Sequence, residues 1–430
     1  MSRAWADIDL GAIAHNVGVL RELAAPAEVC AVVKANGYGH GAVEVARAAV
    51  AAGATRLAVA QVAEGVALRE AGLAVPIWVL SEPDPAEMAT AVAVGLEPAV
   101  YSPAGIEAAA AATSPTVVAP ARTASRESRP ENELRHESPQ RRGFRDADGD
   151  DDAVSVTQFD GQRREAALAG AFTVHLKIDT GMHRVGAAPG DAVALAQRIE
   201  AAPGLRLGSV WTHLACADSL SPAGELMAAV TDGQLACYER LLADLTAAGI
   251  DVPLRHAANS AGTIGHPAAR YDVVRCGIAL YGLPPAPGMA GWAPLRPALS
   301  WRTRVSFVKR VAAGESISYG HRRTLDEATT VATVPVGYAD GLPRGLWASG
   351  GSMLVGGRRR PILGVVTMDQ TMVDCGDDPV EVGDEAVIIG SQGPGANAIT
   401  ADDLAAAMGT INYEICTSIS PRVARRYRPA

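Results

Sequence analysis

The 430-residue sequence predicts an α/β protein, namely a (β/α)8 TIM barrel followed by a smaller, mostly β C-terminal domain. Between residue 29 and about residue 283, short apolar runs alternate with alanine-rich helical segments. Eight strand–helix units in this length are typical of a (β/α)8 barrel. From about Pro297 onward, short runs rich in β-branched residues alternate with glycine and proline turns, which indicates β-structure. We therefore expect a barrel over residues 1–296 and a β-rich domain over residues 297–430.

The barrel strands are predicted from the apolar runs in chain order. They are residues 29–33, 56–60, 76–80, 97–101, 172–178, 207–213, 254–258 and 271–277. Helical segments between them include residues 43–52, 62–71, 191–200 and 231–248. The predicted strands of the second domain are residues 299–311, 329–336, 360–366 and 385–389. The opening run, residues 4–10, precedes the first barrel strand, and the sequence leaves open whether it pairs with the second domain.

Composition excludes several classes of protein. The net charge of −9 offers no basic surface for nucleic acid. Six scattered cysteines without a C-x-x-C pair suggest neither a zinc ribbon nor a disulfide framework, and no metal site is expected. The start lacks a signal-peptide pattern, and no uncharged apolar run approaches membrane-spanning length. We therefore expect a soluble cytoplasmic protein without a membrane partner.

Residues 119–152 fit neither domain. They hold seven arginines, nine acidic residues and three prolines, with Phe144 as the only aromatic residue. Such a segment cannot bury enough apolar surface to offset the entropy lost on ordering, so we expect a disordered insertion before a helix at 162–169. A charged interaction segment is the alternative, although mixed-sign runs are usually only solvated.

The first barrel strand leads into the stretch AVVKANGYGHG at residues 31–41, with Lys34 after an apolar run. A lysine in that setting is costly unless it is paired, neutralised or covalently used, and desolvation lowers its pKa, which favours the nucleophilic free amine. A lysine at the solvent end of a strand is the alternative. The glycines that flank Tyr38 favour a site, because they let the backbone approach a bound group while the tyrosine offers a hydroxyl.

Polar side chains also follow four later strands. Arg184, after the fifth strand, suits a carboxylate with two parallel hydrogen bonds, although a structural arginine is the alternative. His213, after the sixth, is either a site residue or a core histidine whose hydrogen bonds are satisfied. Ser260 and the backbone N–H groups of Gly277 and Ile278 follow the seventh and eighth strands, the usual phosphate site of such barrels. A phosphate-bearing cofactor is therefore expected.

The stretch VVKANGYGHG at residues 32–41 resembles the pyridoxal-phosphate lysine motif of the alanine racemases. The motifs at the later strand ends match that family in the same order, from Trp5 to about Tyr427, apart from the charged insertion. The resemblance implies a pyridoxal 5′-phosphate enzyme that interconverts L- and D-alanine. It also implies a head-to-tail homodimer that supplies D-alanine for peptidoglycan.

The resemblance assigns roles to residues of the barrel. Lys34 would hold the cofactor covalently, Arg184 would bind the substrate carboxylate, and His213 would pack against the pyridine ring. Arg275 would donate a hydrogen bond to the ring nitrogen. Lys177 matches a position that is carbamylated in some family members. The residues implied to bind the phosphate are Tyr38, Ser260, Gly277, Ile278 and Tyr413.

Inversion of a stereocentre by proton exchange needs an acid/base group on each face of the substrate. The resemblance implies that Lys34 is one group and that Tyr319, reaching in from the partner subunit, is the other. A tyrosine with an ordinary pKa near 10 is a poor base at neutral pH, so neighbouring cations or a relay must assist it. The other residues implied in the second domain are Met368 and Asp369 at the substrate, also from the partner, and Tyr338 and Asp340 at the entrance.

Three other functions stay open at this point. A racemase of another small amino acid, such as serine, would keep the same barrel motifs. A decarboxylase or aldolase of the same fold is disfavoured by Tyr319 and by Arg275, since a permanently protonated arginine does not readily give the ring nitrogen a proton. The cofactor is then a weaker electron sink, which suits racemisation. A non-catalytic cofactor carrier is disfavoured by the second domain.

Overall fold

The fold is that of a computed structural model, which describes residues 3–114, 170–393 and 397–429. The predicted insertion at 119–152 and the predicted helix at 162–169 lie outside the described residues. The described part of the chain forms an eight-stranded parallel barrel and a C-terminal domain of antiparallel sheets.

The strands and helices are numbered in chain order. The strands as far as the end of the barrel are β1 Ala4–Asp9, β2 Glu28–Val32, β3 Arg56–Val59, β4 Ile77–Val79, β5 Glu97–Val100, β6 Phe172–Lys177, β7 Leu205–Trp211, β8 Arg255–His256 and β9 Val273–Cys276. The helices of this part are α1 Leu10–Ala24, α2 Ala42–Ala51, α3 Val62–Glu70, α4 Pro85–Ala93, α5 Pro103–Ala112, α6 Ala192–Ala201, α7 Ala228–Ala247 and α8 Ser260–Gly265.

The barrel strands pair in the order β9-β2-β3-β4-β5-β6-β7-β8. Two backbone hydrogen bonds join the ends of this order: Asp272 N–H donates to the Arg255 carbonyl at 3.1 Å, and Arg275 N–H donates to the Ala258 carbonyl at 3.0 Å. The barrel is therefore nearly closed, and the predicted fold class is confirmed. Its walls are buried on both faces, as the near-continuous apolar runs of the sequence require.

The remaining elements belong to the C-terminal domain. Its strands are β10 Leu299–Arg304, β11 Phe307–Val311, β12 Ser316–Ile317, β13 Arg323–Thr324, β14 Thr329–Val334, β15 Ser352–Val355, β16 Arg358–Pro361, β17 Thr371–Asp374, β18 Glu385–Ser391, β19 Ala398–Ile399 and β20 Ala424–Arg428. Its helices are α9 Ala401–Met408 and α10 Asn412–Ser418. The larger sheet has the order β16-β15-β18-β10-β1-β20, with β19 on β18, and the smaller ones are β11-β14-β17 and β12-β13.

The opening strand belongs to the C-terminal sheet, which resolves the question left by the sequence. Strand β1 pairs antiparallel with β10 and parallel with β20. A single buried apolar cluster runs from barrel residues such as Leu57 to Trp301 and Val387 of this sheet. The two parts of the chain therefore share a core, and the boundary at 296/297 stays a prediction.

Two predicted strands of the C-terminal domain are wrong in extent. The run 299–311 is two strands in different sheets, because Val305 N–H donates to Asp384 and Ser306 N–H donates to Thr333, so the chain crosses between sheets there. The run predicted at 360–366 is strand β16, which ends at Pro361. Among the described residues, no helix is long and apolar enough to cross a membrane.

Candidate active site

A pocket of about 350 Å³ lies at the C-terminal ends of the barrel strands. Its lining comes from the turns that follow β2, β6, β7, β8 and β9 and from helix α10 of the C-terminal domain. Site residues predicted from the sequence make up most of that lining, namely Lys34, Tyr38, Arg184, His213, Ser260, Arg275, Gly277, Ile278 and Tyr413. The fold therefore brings these side chains and backbone groups together at one mouth of the barrel.

Lys34 does not lie on the strand itself. Strand β2 ends at Val32, and Lys34 begins a one-turn segment, Lys34–Tyr38. Ala35, Asn36 and Gly37 in this segment have φ values of 52°, 51° and 62°, so the turn is left-handed. A left-handed conformation costs roughly 1–2 kcal/mol for a residue with a Cβ, and surrounding contacts must hold it in place.

The carboxylate of Glu64 supplies such contacts. It accepts hydrogen bonds from the N–H of Ala35 at 2.6 Å, of Ala60 at 2.9 Å and of Gln61 at 3.2 Å. Glu64 is the N3 residue of helix α3 and forms a capping box with Gln61. One side chain therefore fixes the start of α3 and the residue that follows Lys34.

The amine of Lys34 lies where its neutral form is favoured. Burial lowers the pKa of Lys34, the positive charge of Arg184 lowers it further, and Glu64 opposes the shift. Arg184 itself is exposed in the single chain. An amine of lowered pKa beside a guanidinium suits a nucleophile next to a carboxylate clamp.

Tyr38 lies between the barrel and the C-terminal domain. Its ring packs against Tyr281, with centroids 4.9 Å apart, and lies 6.1 Å from the ring of Tyr413 on α10. Burial raises its pKa, so its hydroxyl keeps its proton and serves as a donor. A Cβ at Gly277 would stand 2.3 Å from that hydroxyl, so only glycine leaves room for it.

The turns after β8 and β9 are joined by a serine. The Ser260 hydroxyl oxygen accepts hydrogen bonds from Gly277 N–H at 3.0 Å and from Ala279 N–H at 3.3 Å. Asn259 caps α8 by accepting from Gly262 N–H at 2.9 Å. The residues predicted for a phosphate are thus adjacent, with Gly277 N–H directed at Ser260 in this structure.

Arg275 is buried, with 3% of its surface exposed, and makes several hydrogen bonds. Its guanidinium donates to the carbonyls of Thr212 and Ala257, at 2.8 and 3.0 Å, and to Nδ1 of His256 at 2.7 Å. His213 Nδ1 lies 3.2 Å from the same guanidinium. Burial lowers the pKa of Arg275 to about 10, so the group stays protonated at neutral pH.

Lys177 is buried and is not among the residues that line the pocket. Its Nζ is 4.5 Å from the ring centroid of Trp211, and the guanidinium of Arg275 is 4.7 Å from the same centroid. Burial lowers the pKa of Lys177 to about 8, and Arg275 and Arg184 add to this effect.

Apart from Tyr413, the residues predicted in the second domain are not part of this pocket lining within one chain; they are Tyr319, Tyr338, Asp340, Met368 and Asp369. Tyr319 is 72% exposed and Met368 is 53% exposed. Asp340 is buried, accepts from Gly337 N–H at 3.0 Å and pairs with Arg422, which also pairs with Asp369. Two backbone hydrogen bonds join the loop that carries Tyr338 to the loop that carries Met368. Tyr338 N–H donates to the Thr367 carbonyl, and Ala339 N–H donates to the Met368 carbonyl. This surface is not joined to the Lys34 pocket in the single chain.

Several residues of the site were not found by sequence reasoning. Glu64 could have been found from the capping-box pattern Gln61-x-x-Glu64 after a strand, but that pattern says nothing about Ala35. His256 lies on strand β8, inside the predicted seventh strand, where a single histidine carries no separate signal. Other residues that line the pocket are Val32, Ala35, Leu80, Asp218, Asn259, Ala261 and Thr417. Single apolar or amide residues of this kind carry no separate sequence signal.

Comparisons with known proteins point to a single family. The sequence model described as "Alanine racemase, N-terminal domain" matches residues 8–120 and 151–285, and "Alanine racemase, C-terminal domain" matches residues 298–427. The alanine racemase of Symbiobacterium thermophilum is 42% identical over 428 residues, which cover 99% of this chain and 97% of that protein. The alanine racemase of Thermobifida fusca is 39% identical over 433 residues, which cover 100% of this chain and 99% of that protein.

Solved structures of alanine racemases also match this chain over its whole length. The crystal structure of alanine racemase from Bacillus anthracis with bound L-Ala-P has a TM-score of 0.80 and 33% identity, covering 100% of this chain and 96% of that one. The crystal structure of alanine racemase from Streptomyces lavendulae has a TM-score of 0.80 and 35% identity, and the match covers 100% of this chain and 98% of that one. Because both family models and full-length relatives match, the chain belongs to the alanine racemase family of isomerases.

Proposed function

We propose that the protein interconverts L-alanine and D-alanine with pyridoxal 5′-phosphate, using Lys34 and Tyr319 as the two acid/base groups. Membership of the alanine racemase family supports the substrate. The observation that carries the proposal is the convergence of Lys34, Tyr38, Arg184 and Arg275 on one pocket at the C-terminal mouth of the barrel. Supply of D-alanine for peptidoglycan and a cytoplasmic location are further parts of this proposal and stay predictions.

The residues present fit pyridoxal phosphate. Lys34 has an amine whose pKa is lowered, which suits bonding to an aldehyde. Gly277 leaves a cradle beside the Tyr38 hydroxyl that a Cβ would fill. Tyr38, Ser260 and Tyr413 offer hydroxyl groups and Ile278 offers a backbone N–H group, beside Gly277 N–H, which donates to Ser260 Oγ here; together they suit phosphate oxygens. When bound, pyridoxal phosphate supplies a conjugated ring that stabilises negative charge at the α-carbon.

Each of the chain's own groups then has a defined task. Arg184 binds the substrate carboxylate with two parallel hydrogen bonds and so orients the α-carbon. Arg275 would donate to the ring nitrogen of bound pyridoxal phosphate without giving up its proton, because its pKa of about 10 lies well above neutrality. Lys34 Nζ would accept or return the α-proton on one face of the substrate.

The second face requires the phenol of Tyr319. That side chain is exposed in the single chain and lies outside the Lys34 pocket, so we propose that it acts in the pocket of a partner subunit. Met368 and Asp369 would accompany it, and Tyr338 and Asp340 would line the way in. This assembly is a head-to-tail homodimer in which each subunit gives its barrel to one site and its second domain to the other.

Purified protein tests the proposal with a panel of L-amino acids that includes alanine and serine, with and without added pyridoxal phosphate. We expect racemisation of alanine that depends on the cofactor, with serine slower. Preferential racemisation of serine, or decarboxylation of any member of the panel, contradicts the substrate assignment. A Lys34→Ala variant should lose both turnover and the absorbance of covalently held cofactor, while retention of that absorbance contradicts the anchor assignment.

A further inference from the structure

A line of hydrogen bonds crosses the barrel interior from Arg275 to Glu97, with one residue from each of five neighbouring strands. Arg275 on β9 bonds His256 Nδ1 on β8 at 2.7 Å, and His256 Nε2 lies 2.9 Å from Ser209 Oγ on β7. Ser209 Oγ lies 2.7 Å from His175 Nδ1 on β6, and His175 Nε2 lies 3.1 Å from Glu97 Oε2 on β5. The two histidines and the serine therefore connect the arginine to a carboxylate.

The chemistry of the two ends fixes the direction of every bond. An arginine can only donate, so His256 Nδ1 must be the acceptor and the ring proton must be on Nε2. That proton is donated to Ser209, whose own hydroxyl proton then goes to His175 Nδ1. His175 is therefore also protonated on Nε2 and donates to Glu97. All four bonds point from the arginine toward the carboxylate.

The protonation states agree with this direction. Burial lowers the pKa of His256 well below its ordinary value, with Arg275 adding to the effect, and burial also lowers the pKa of His175. Burial alone would raise the pKa of Glu97, but hydrogen bonds from His175 and from Trp78, together with the positive charge of Arg56, lower that pKa. Both histidines are thus neutral and the carboxylate is ionised at neutral pH.

Two tryptophans hold the line in place. Trp78 stacks on His256 with ring centroids 4.5 Å apart and lies 4.8 Å from His175, and its Nε1 donates to Glu97 Oε2 at 2.9 Å. Trp211 also stacks on His256, with ring centroids 5.4 Å apart. Ser209 is fully buried and His256, His175 and Arg275 are each at most 3% exposed, so water does not compete for the three bonds among them, whereas the Glu97 side chain at the far end is 23% exposed.

We propose that Glu97, His175 and Ser209 are positioning residues that act through His256 on Arg275. Within residues 3–114, 170–393 and 397–429, no ion pair joins Arg275 to a carboxylate. The hydrogen bonds described above instead connect its guanidinium indirectly to the carboxylate of Glu97. The line keeps His256 Nδ1 an acceptor, and a fixed acceptor holds the guanidinium in one orientation toward the cofactor ring. Its catalytic consequence rests on the proposed function, whereas the direction of its bonds does not.

The proton positions are tested by NMR of the holoenzyme labelled with ¹⁵N-histidine, with signals assigned from His175→Gln and His256→Gln variants. We expect both residues as neutral Nε2–H forms that do not titrate between about pH 6 and 8, where an ordinary histidine does. A proton on Nδ1 of either residue, or titration of either in that range, overturns the proposed direction. This outcome is independent of whether the protein racemises alanine.

The positioning role is tested by Ser209→Ala, which interrupts the line, and by Glu97→Ala, which removes its last acceptor at the less buried end. Both should lower kcat about 10- to 100-fold with KM unchanged, and should shift the absorbance maximum of the bound cofactor. Thr173→Val is the matched control, because it removes a buried hydroxyl on the same strand as His175, one that accepts from Arg206 at 2.7 Å. If both variants behave like Thr173→Val, the line is only structural and the proposal is wrong.

Discussion

The hydroxyl of Tyr38 and the Cα of Gly277 lie so close that a methyl group on Gly277 would stand 2.3 Å from the oxygen. Gly277 has φ −101° and ψ −97°, and the collision of a Cβ with Tyr38 already requires glycine here. Single positions of this kind decide whether a hydroxyl can approach a backbone N–H at the proposed phosphate site.

Gly277→Ala should therefore displace Tyr38 and weaken cofactor binding by about tenfold or more, equivalent to roughly 1.4 kcal/mol. The measurement is the dissociation constant of pyridoxal phosphate for protein stripped of cofactor. Gly233→Ala is the control, because a Cβ there meets nothing within 4 Å and the helical position should gain about 0.5–1 kcal/mol of stability. Equal affinity in the two variants would show that the Gly277 cradle does not bind the phosphate.

Lys177 provides a second test at the scale of one residue. Its folded pKa of about 8 is below the ordinary value of 10.5, because burial disfavours the charged amine. Below pH 8 the folded state bears the full free-energy cost of burying the charged amine. This cost falls as pH rises from 8 toward 10.5, because the folded protein has then released a proton that the unfolded chain still binds.

Lys177→Met removes this penalty, so the variant should gain stability relative to the unmodified protein at pH 7 and lose that advantage by pH 10. The change across this range should be at most about 3 kcal/mol in the free energy of unfolding, measured by urea denaturation. Lys309→Met, at an exposed lysine on β11, should show no such trend. A difference that stays constant with pH for Lys177→Met would mean that residue 177 does not titrate as an amine.

At the scale of elements, the left-handed turn Lys34–Tyr38 depends on helix α3. Asn36 and Gly37 tolerate positive φ, whereas Ala35 does not, and its N–H is held by Glu64 at 2.6 Å. Because Glu64 also accepts from Ala60 and Gln61 N–H, both of its oxygens are held by backbone donors. The position of Lys34 is thus set by a side chain thirty residues later in the sequence.

Glu64→Gln should turn one of these acceptors into an N–H₂ donor and leave at least one backbone N–H without its partner. We expect a loss of about 1–3 kcal/mol in stability, together with slower uptake of pyridoxal phosphate by the stripped protein. Glu70→Gln, at an exposed residue that ends the same helix, should change neither quantity. If Glu64→Gln loses stability but takes up cofactor at the normal rate, Glu64 supports the helix alone.

At the scale of the whole molecule, the proposed site is incomplete in one chain. The barrel presents the Lys34 pocket, while Tyr319 is 72% exposed on the C-terminal domain. If two chains exchange these parts, each site takes its lysine from one subunit and its tyrosine from the other. A dimer of two different inactive variants then holds one intact site and one site lacking both residues.

Inactive Lys34→Ala and Tyr319→Phe proteins, dissociated and reassociated in equal amounts, should therefore recover roughly a quarter of normal activity, since half the dimers are mixed and each has one intact site. Racemisation of alanine by the mixture measures this. The control is each variant carried through the same treatment alone, which should stay inactive. No recovery in a mixture that has demonstrably exchanged subunits would place both residues in the same chain.

The sequence by itself determined the fold class and most of the barrel pocket. Alternating apolar runs and helical segments specify a parallel barrel, and the strand ends of such a barrel must meet at one mouth, so Lys34, Arg184, Ser260 and Arg275 were predictable as neighbours. Local pattern also sufficed for β-structure after residue 297, although the run 299–311 contains no signal that the chain changes sheets at Val305.

Only the tertiary structure decided which distant groups fix the chemistry. The left-handed turn after Lys34 and the line from Arg275 to Glu97 depend on contacts between residues far apart in the chain, and a sequence pattern reports only near neighbours. The pairing of strand β1 with β10 and β20 likewise joins residues that are far apart in the chain. Hydrogen-bond direction and pKa depend on burial and on the partner across the barrel, so they follow from the packed fold and not from the order of residues.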